Sequence, residues 1–186
     1  MTQHPASAPQ AVQPQAGTVL LTRSPGWTAW LIRLGAALRD RPNLDNHVAV
    51  VHHTDIHGTT WCIEGRPGGV GWRDAQHYLA SRWTITNAAQ PITPQARIGI
   101  AATMRALLGT AYDWDAIAAD AAQTFGLHLP GWEPTFRGTV PGHVVCSSAA
   151  AYAYAKNDTP HPTGDRAVTP SDWETFIQTQ QWETTT

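Results

Sequence analysis

Val144-Val145-Cys146-Ser147-Ser148-Ala149-Ala150-Ala151-Tyr152-Ala153-Tyr154-Ala155-Lys156 is the stretch on which the reading of this chain turns. A β-branched pair gives way to an alanine-rich run, so an extended segment feeds a helix whose first residue is Cys146. Ser147 and Ser148 fall in its first turn. Unpaired backbone N–H groups and the positive end of the helix dipole meet there. Both stabilise a thiolate and lower a thiol pKa. A nucleophilic cysteine needs such surroundings, and a merely packed one does not.

A cysteine nucleophile also needs an imidazole to take its proton and pass it to the leaving group. The imidazole in turn needs a polar partner to fix its tautomer. Asn46-His47-Val48-Ala49-Val50-Val51 offers the imidazole at the head of an apolar run, which reads as a central strand over 47–52. Asp55-Ile56-His57-Gly58 is a turn, and the residues from Thr59 to Glu64 read as the partner strand of an antiparallel hairpin. Side chains alternate across a strand, so Cys62 and Glu64 share a face. If that face is also His47's, Glu64 can accept the ring N–H that points away from sulfur. Cys146, His47 and Glu64 are therefore the candidate catalytic triad.

The rest of the chain supplies a frame of helices and strands. Gly17 to Thr22 reads as a first strand. Trp27, Trp30, Leu31, Leu34 and Leu38 recur at helical spacing up to Pro42. Gly65 to Gly71 reads as a glycine-rich loop, and 83–86 as another short strand. Thr93-Pro94 caps a helix whose apolar face is Ala96, Ile100, Met104, Leu107 and Leu108, with Gly109 as its stop. Asp113 or Asp115 caps a helix with the stripe Trp114, Ile117, Ala118, Ala121 and Phe125. Residues 127–143 read as loop. Thr169-Pro170-Ser171-Asp172 is a capping-box variant that opens a last helix to about Ile177. The tally is an α+β fold, an antiparallel sheet packed on helices. A Pro-, Gln- and Ala-rich arm over 1–16 is expected to be disordered, with one domain over 17–186.

Composition narrows the classes. With 42% hydrophobic and 14% charged residues and a net charge of −2, the chain is globular and carries no basic footprint for nucleic acid. No segment approaches the roughly 20 apolar residues of a membrane-spanning helix, so no stable membrane insertion is expected. The first sixteen residues lack the cationic start and apolar core of a secretory signal, which makes the cytoplasm the default location. Two cysteines make no disulfide framework. His47, His52, His53 and His57 fit no zinc-ligand spacing, and neither metal nor cofactor is expected. His143 precedes Cys146 by three positions, which suits positioning better than base catalysis. Cys62 is expected to be buried; on the catalytic face it would be able to pair with Cys146 on oxidation. Trp61 and Trp132 could flank a cleft, although core packing is the better reading.

Three segments resemble the NlpC/P60 superfamily of papain-like cysteine hydrolases. Leu108-Gly109-Thr110-Ala111-Tyr112-Asp113-Trp114 is similar to its G-x-x-Y stretch. Cys146-Ser147-Ser148 with Ala151-Tyr152-Ala153-Tyr154 resembles its nucleophile helix, and Asn46-His47-Val48-Ala49-Val50-Val51 its histidine strand. Here the histidine precedes the cysteine by 99 positions (146 minus 47). That order resembles the circularly permuted branch, which includes YiiX-like proteins and the lecithin retinol acyltransferase group. Gly17-Thr18-Val19-Leu20-Leu21 is similar to that branch's G-D-I-L-L opening, with Thr18 in place of Asp. Ile63-Glu64-Gly65 through Gly69-Val70, and Thr169-Pro170-Ser171-Asp172, also match its segments.

The resemblance implies a permuted papain-like fold with Cys146 as nucleophile, His47 as base and Glu64 as orienting residue. Tyr112 and Ser147 would contact substrate, and the Cys146 backbone N–H would donate to the oxyanion. It implies hydrolysis of an amide or ester through a thioester. Peptide or peptidoglycan-type fragments follow from the wider superfamily, and acyl-lipids, as substrates of a hydrolase or acyltransferase, from the permuted branch. The absence of a polybasic patch or anchor in the sequence favours the peptide or cell-wall class. A binding or structural module that keeps the fold without turnover is the alternative from another class.

Overall fold

The computed structural model describes residues 14–23, 45–80, 84–88, 90–114, 143–163 and 168–183. Residues 1–13 of the arm, the helix expected over 27–38, the helix expected beyond Trp114 and the loop over 127–142 lie outside these.

The fold is α+β. Strands β1 (Val19–Thr22), β2 (His47–Thr54), β3 (Thr60–Arg66), β4 (Gly69–Asp74) and β5 (Ile85–Thr86) form one sheet in the order β4-β3-β2-β1-β5. Every neighbouring pair in it is antiparallel. A single-turn helix α1 (Gln76–Leu79) follows β4, and α2 (Pro94–Ala106) follows β5. Strands β6 (Ala111–Tyr112) and β7 (His143–Val144) pair in parallel. Helix α3 (Cys146–Ala155) starts directly after β7, and α4 (Pro170–Glu183) ends the described chain.

Both faces of the sheet are covered, which explains the nearly continuous apolar run of β2. Val19, Leu21, Val48, Val50 and Ile63 point to one face and pack under α2, α3 and α4. Leu20, Ala49, Val51 and Cys62 point to the other, against Ala75 and Tyr78. Each Val, Leu or Ile side chain among these contributes about 1.5–3 kcal/mol on removal from water. Trp173 of α4 is fully buried, stacks edge-on to Tyr154 of α3 at 5.0 Å, and donates its indole N–H to the Ser147 carbonyl at 3.0 Å. Helix α4 therefore braces the first turn of α3. Its own start is held by the expected box: Asp172 accepts from the Thr169 N–H and hydroxyl, and Thr169 accepts from the Asp172 N–H.

The glycine-rich stretch 65–71, read from sequence as a loop, is the end of β3, a two-residue turn at Pro67-Gly68, and the start of β4. Gly69 supplies the positive φ of +101° that the tight turn needs, and any Cβ there would stand 2.8 Å from the Thr110 carbonyl oxygen. The strands also run longer than their sequence boundaries, β2 to Thr54 and β3 to Arg66, and α4 passes Ile177 to reach Glu183.

Candidate active site

The site is built at a fork in the sheet. The β2–β3 ladder runs from Thr54 opposite Thr60 to Ala49 opposite Glu64, while β3 continues to Arg66 against β4. Val51 gives its N–H to the Thr18 carbonyl, on the β1 side. Backbone groups alternate in direction along a strand, so the Val48 N–H points the other way, toward β3, beyond the last paired residues. It meets the sulfur of Cys146 there. On the other arm, Gly65 lies against the backbone of the same residue. A Cβ at Gly65 would stand 3.2 Å from the Cys146 nitrogen and 3.3 Å from its Cα. The first turn of α3 is thus seated between the splayed ends of β2 and β3.

Gly65→Ala should therefore push that turn outward by a few tenths of an ångström. Misplaced reacting groups are penalised steeply. Alkylation of Cys146 at pH 6 is expected to slow roughly tenfold with the circular dichroism spectrum unchanged; an unchanged rate would mean that the fork has slack.

Local sequence explains why α3 begins with exposed donors. Its N-cap is Val145, which has no side-chain acceptor for the first-turn amides. Ser148 reaches back instead, accepting from the Val145 N–H at 3.2 Å and donating to the Val145 carbonyl at 2.8 Å. The Ser147 N–H then goes to the Cys146 sulfur.

Cys146 shares a hydrogen bond with the imidazole of His47. The far nitrogen of that ring, Nε2, lies 2.8 Å from Glu64 Oε2. Glu64 is fully buried. Burial alone would raise its pKa, but the bond and charge of His47, the Tyr78 hydroxyl and Arg66 hold it below the usual value. An ionised carboxylate only accepts, so Nε2 carries the proton and Nδ1 is left for sulfur. Burial pushes the Cys146 thiol up, yet the charge and hydrogen bond of His47, with the Val48 and Ser147 amides, bring it below the ordinary thiol value. Burial likewise disfavours a charged His47, but the Cys146 charge and the bonds from Cys146 and Glu64 raise it to about 10. Both shifts act in the direction of a thiolate–imidazolium pair.

Tyr112 adjoins this pair. Strand pairing sets it beside Val144, two residues before Cys146, and burial followed by the Cys146 charge raises its phenol pKa. Ser147, expected to contact substrate, is buried and donates its hydroxyl to the Val168 carbonyl at 2.7 Å, so its side chain is tied to the approach to α4. His143 has its backbone in β7, and its side chain lies outside the described set. Cys62 does share the face of His47 and Glu64. It nevertheless packs in the core cluster opposite that of Cys146, and its thiol donates to the Arg73 carbonyl at 3.4 Å. Burial raises its pKa, so it has the character of an inert core thiol. His52 and His53 pair by their Nδ1 atoms at 2.9 Å beside Trp72, where a bulge interrupts the ladder. Trp61 donates its indole N–H to Asp55 at the hairpin turn. Among the described residues no group of three or more His, Cys, Asp or Glu is placed to hold a metal ion. No helix among them is long and apolar enough to cross a membrane.

Three residues around Glu64 went unrecognised in the sequence. Tyr78 donates its hydroxyl to Oε2, the oxygen that His47 also uses. Arg66 Nε stands 2.8 Å and Arg73 Nε 3.4 Å from Oε1. These two pair with Oε1 by charge, since neither N–H is aimed well enough for a hydrogen bond. Arg66 lies two positions after Glu64 and so on its face, a signal that alternation could have supplied. Arg73 and Tyr78 depend on β4 and α1, which the sequence did not announce.

No protein-family model matches this chain, and no curated protein matches it.

Proposed function

We propose that the protein is a cysteine hydrolase of the papain-like, circularly permuted NlpC/P60 type, cleaving an amide of peptide or peptidoglycan kind, or an ester. The observation that carries this reading is the linear arrangement Cys146–His47–Glu64, with sulfur at a helix start and the carboxylate fully buried. The Cys146 thiolate attacks the carbonyl carbon and forms a C–S bond. The Cys146 backbone N–H, at the open end of α3, faces the developing oxyanion. The His47 imidazolium gives its proton to the departing nitrogen or oxygen as that bond breaks. The thioester then holds no charge on sulfur. The largest influence that raised the ring's pKa is gone, burial favours the neutral form, and His47 becomes the base that takes a proton from water. Water adds, the acid leaves, and the thiolate–imidazolium pair returns.

Alkylation tests the reading without a known substrate. Iodoacetamide should modify Cys146 at pH 6 faster than Cys62, because the thiolate reacts and only Cys146 has its pKa lowered. Hydrolysis should decline as pH rises through about 10, where the imidazolium loses the proton it must donate. Equal, slow labelling of both thiols would leave a non-catalytic module. Incubation with muropeptides and with acyl-lipid vesicles separates the substrate classes, fatty acid release marking an acyl-lipid hydrolase.

A further inference from the structure

We propose that Tyr78 is a positioning residue of this site: its hydroxyl, tied to Arg73, locks the Glu64 carboxylate in the one orientation that keeps His47 Nδ1 on the sulfur. The inference rests on the cysteine hydrolase reading and names a member that the triad does not contain.

Glu64 has two carboxylate oxygens with unequal surroundings. Oε1 faces Arg66 and Arg73, and Oε2 takes the His47 N–H and the Tyr78 O–H. The two guanidinium groups attract the whole carboxylate toward β4, away from His47. A buried carboxylate between two cations and one imidazole has no intrinsic reason to keep its best acceptor geometry for the imidazole. The Tyr78 hydroxyl supplies that reason, because it donates to the same oxygen from the α1 side. It is itself held by a hydrogen bond from Arg73. Tyr78 is buried, and its ring packs beside the His47 ring at 5.9 Å. The hydroxyl has a purpose that packing alone would not require, since phenylalanine fills the same space. Helix α1 is a single turn, and its placement after β4 sets Tyr78 over the carboxylate.

The chemical consequence is specific. Without the hydroxyl, Glu64 turns toward the arginines, the bond to Nε2 weakens, and the imidazolium loses part of its support. The thiolate that depends on the imidazolium then forms at higher pH. A side chain that merely filled space would not move that pH.

The test is iodoacetamide alkylation of Cys146 from pH 4 to pH 10 in wild type, Tyr78→Phe and Tyr78→Leu. Tyr78→Phe should keep the far-ultraviolet spectrum and slow labelling at pH 5 roughly three- to tenfold, the loss expected for one hydrogen bond to a charged group shared among remaining donors. Above pH 9 the two rates should coincide, because the thiol ionises in both. Tyr78→Leu, which also empties space, should add a loss of stability in urea to the same shift. A Tyr78→Phe profile superimposed on a wild-type profile that retains its low-pH reactivity would overturn the positioning role and leave the hydrolase reading intact. A wild-type profile of an ordinary thiol would instead overturn the hydrolase reading.

Discussion

His47→Ala should remove hydrolysis and make Cys146 an ordinary thiol. The ring contributes twice. As the counter-charge to sulfur it brings the Cys146 pKa down against burial, and in the proposed mechanism it is the acid that protonates the leaving group. Removing the first effect returns the thiol to about 8.5 or above, where roughly one part in three hundred is ionised at pH 6. Removing the second costs turnover on the order of 10,000-fold, the upper end of general acid–base catalysis. The Val48 and Ser147 amides remain, so some residual thiolate character should persist above that of Cys62. The measurement is a paired one: substrate turnover and the pH profile of alkylation in the same variant. Retention of fast labelling at pH 6 would show that the helix start alone, without the ring, sets the reactivity.

Glu64→Gln is the second large change, and it should affect both rate and fold. A glutamine can accept from His47 with one end only by presenting its amide N–H₂ to Arg66 and Arg73, where Glu64 now offers charge. Turned the other way, it donates toward Nε2 and forces the wrong tautomer on the ring. Either orientation sacrifices one side. Turnover should fall on the order of 10,000-fold, as loss of an orienting carboxylate does when it misplaces the tautomer. Stability should drop by about 2 kcal/mol in urea titration, less than the loss of a fully buried ion-pair partner, because both guanidinium groups stay partly hydrated. An unchanged urea midpoint would show that the arginines find water without cost. Unchanged turnover would move the orienting role elsewhere.

The local halves of the site were legible in the sequence and the joints were not. Alanine after a β-branched pair announced α3 and its first residue, because helix propensity and the N-terminal position of Cys146 are properties of neighbours in the chain. Period-two alternation put Cys62 and Glu64 on one face, and the register confirms that Ala49 opposes Glu64, so His47 shares it. Thr93 caps α2 through the Ala96 N–H, as its place before Pro94 suggested. Residues 65–71 misled because glycine is equally at home in a loop and in a hairpin, and only the pairing of β3 with β4 decides between them. Missing β4 removed Arg73 and the following turn with Tyr78 from view. The fork between β2 and β3 could not have been read at all, since it depends on where a ladder stops and on a helix almost a hundred residues away.

That fork has a bearing on the life of the chain before it is finished. The donors that tame the sulfur come from β2, which is synthesised long before Cys146 emerges, and from the first turn of α3 itself. Until that turn settles between the strand ends, Cys146 is a free thiol with a pKa near 8.5, mostly protonated at neutral pH. Reactivity therefore arrives with the docking of that turn and not with synthesis of the cysteine. A nascent or misassembled copy carries a quiet thiol, and only the completed fold lowers its pKa.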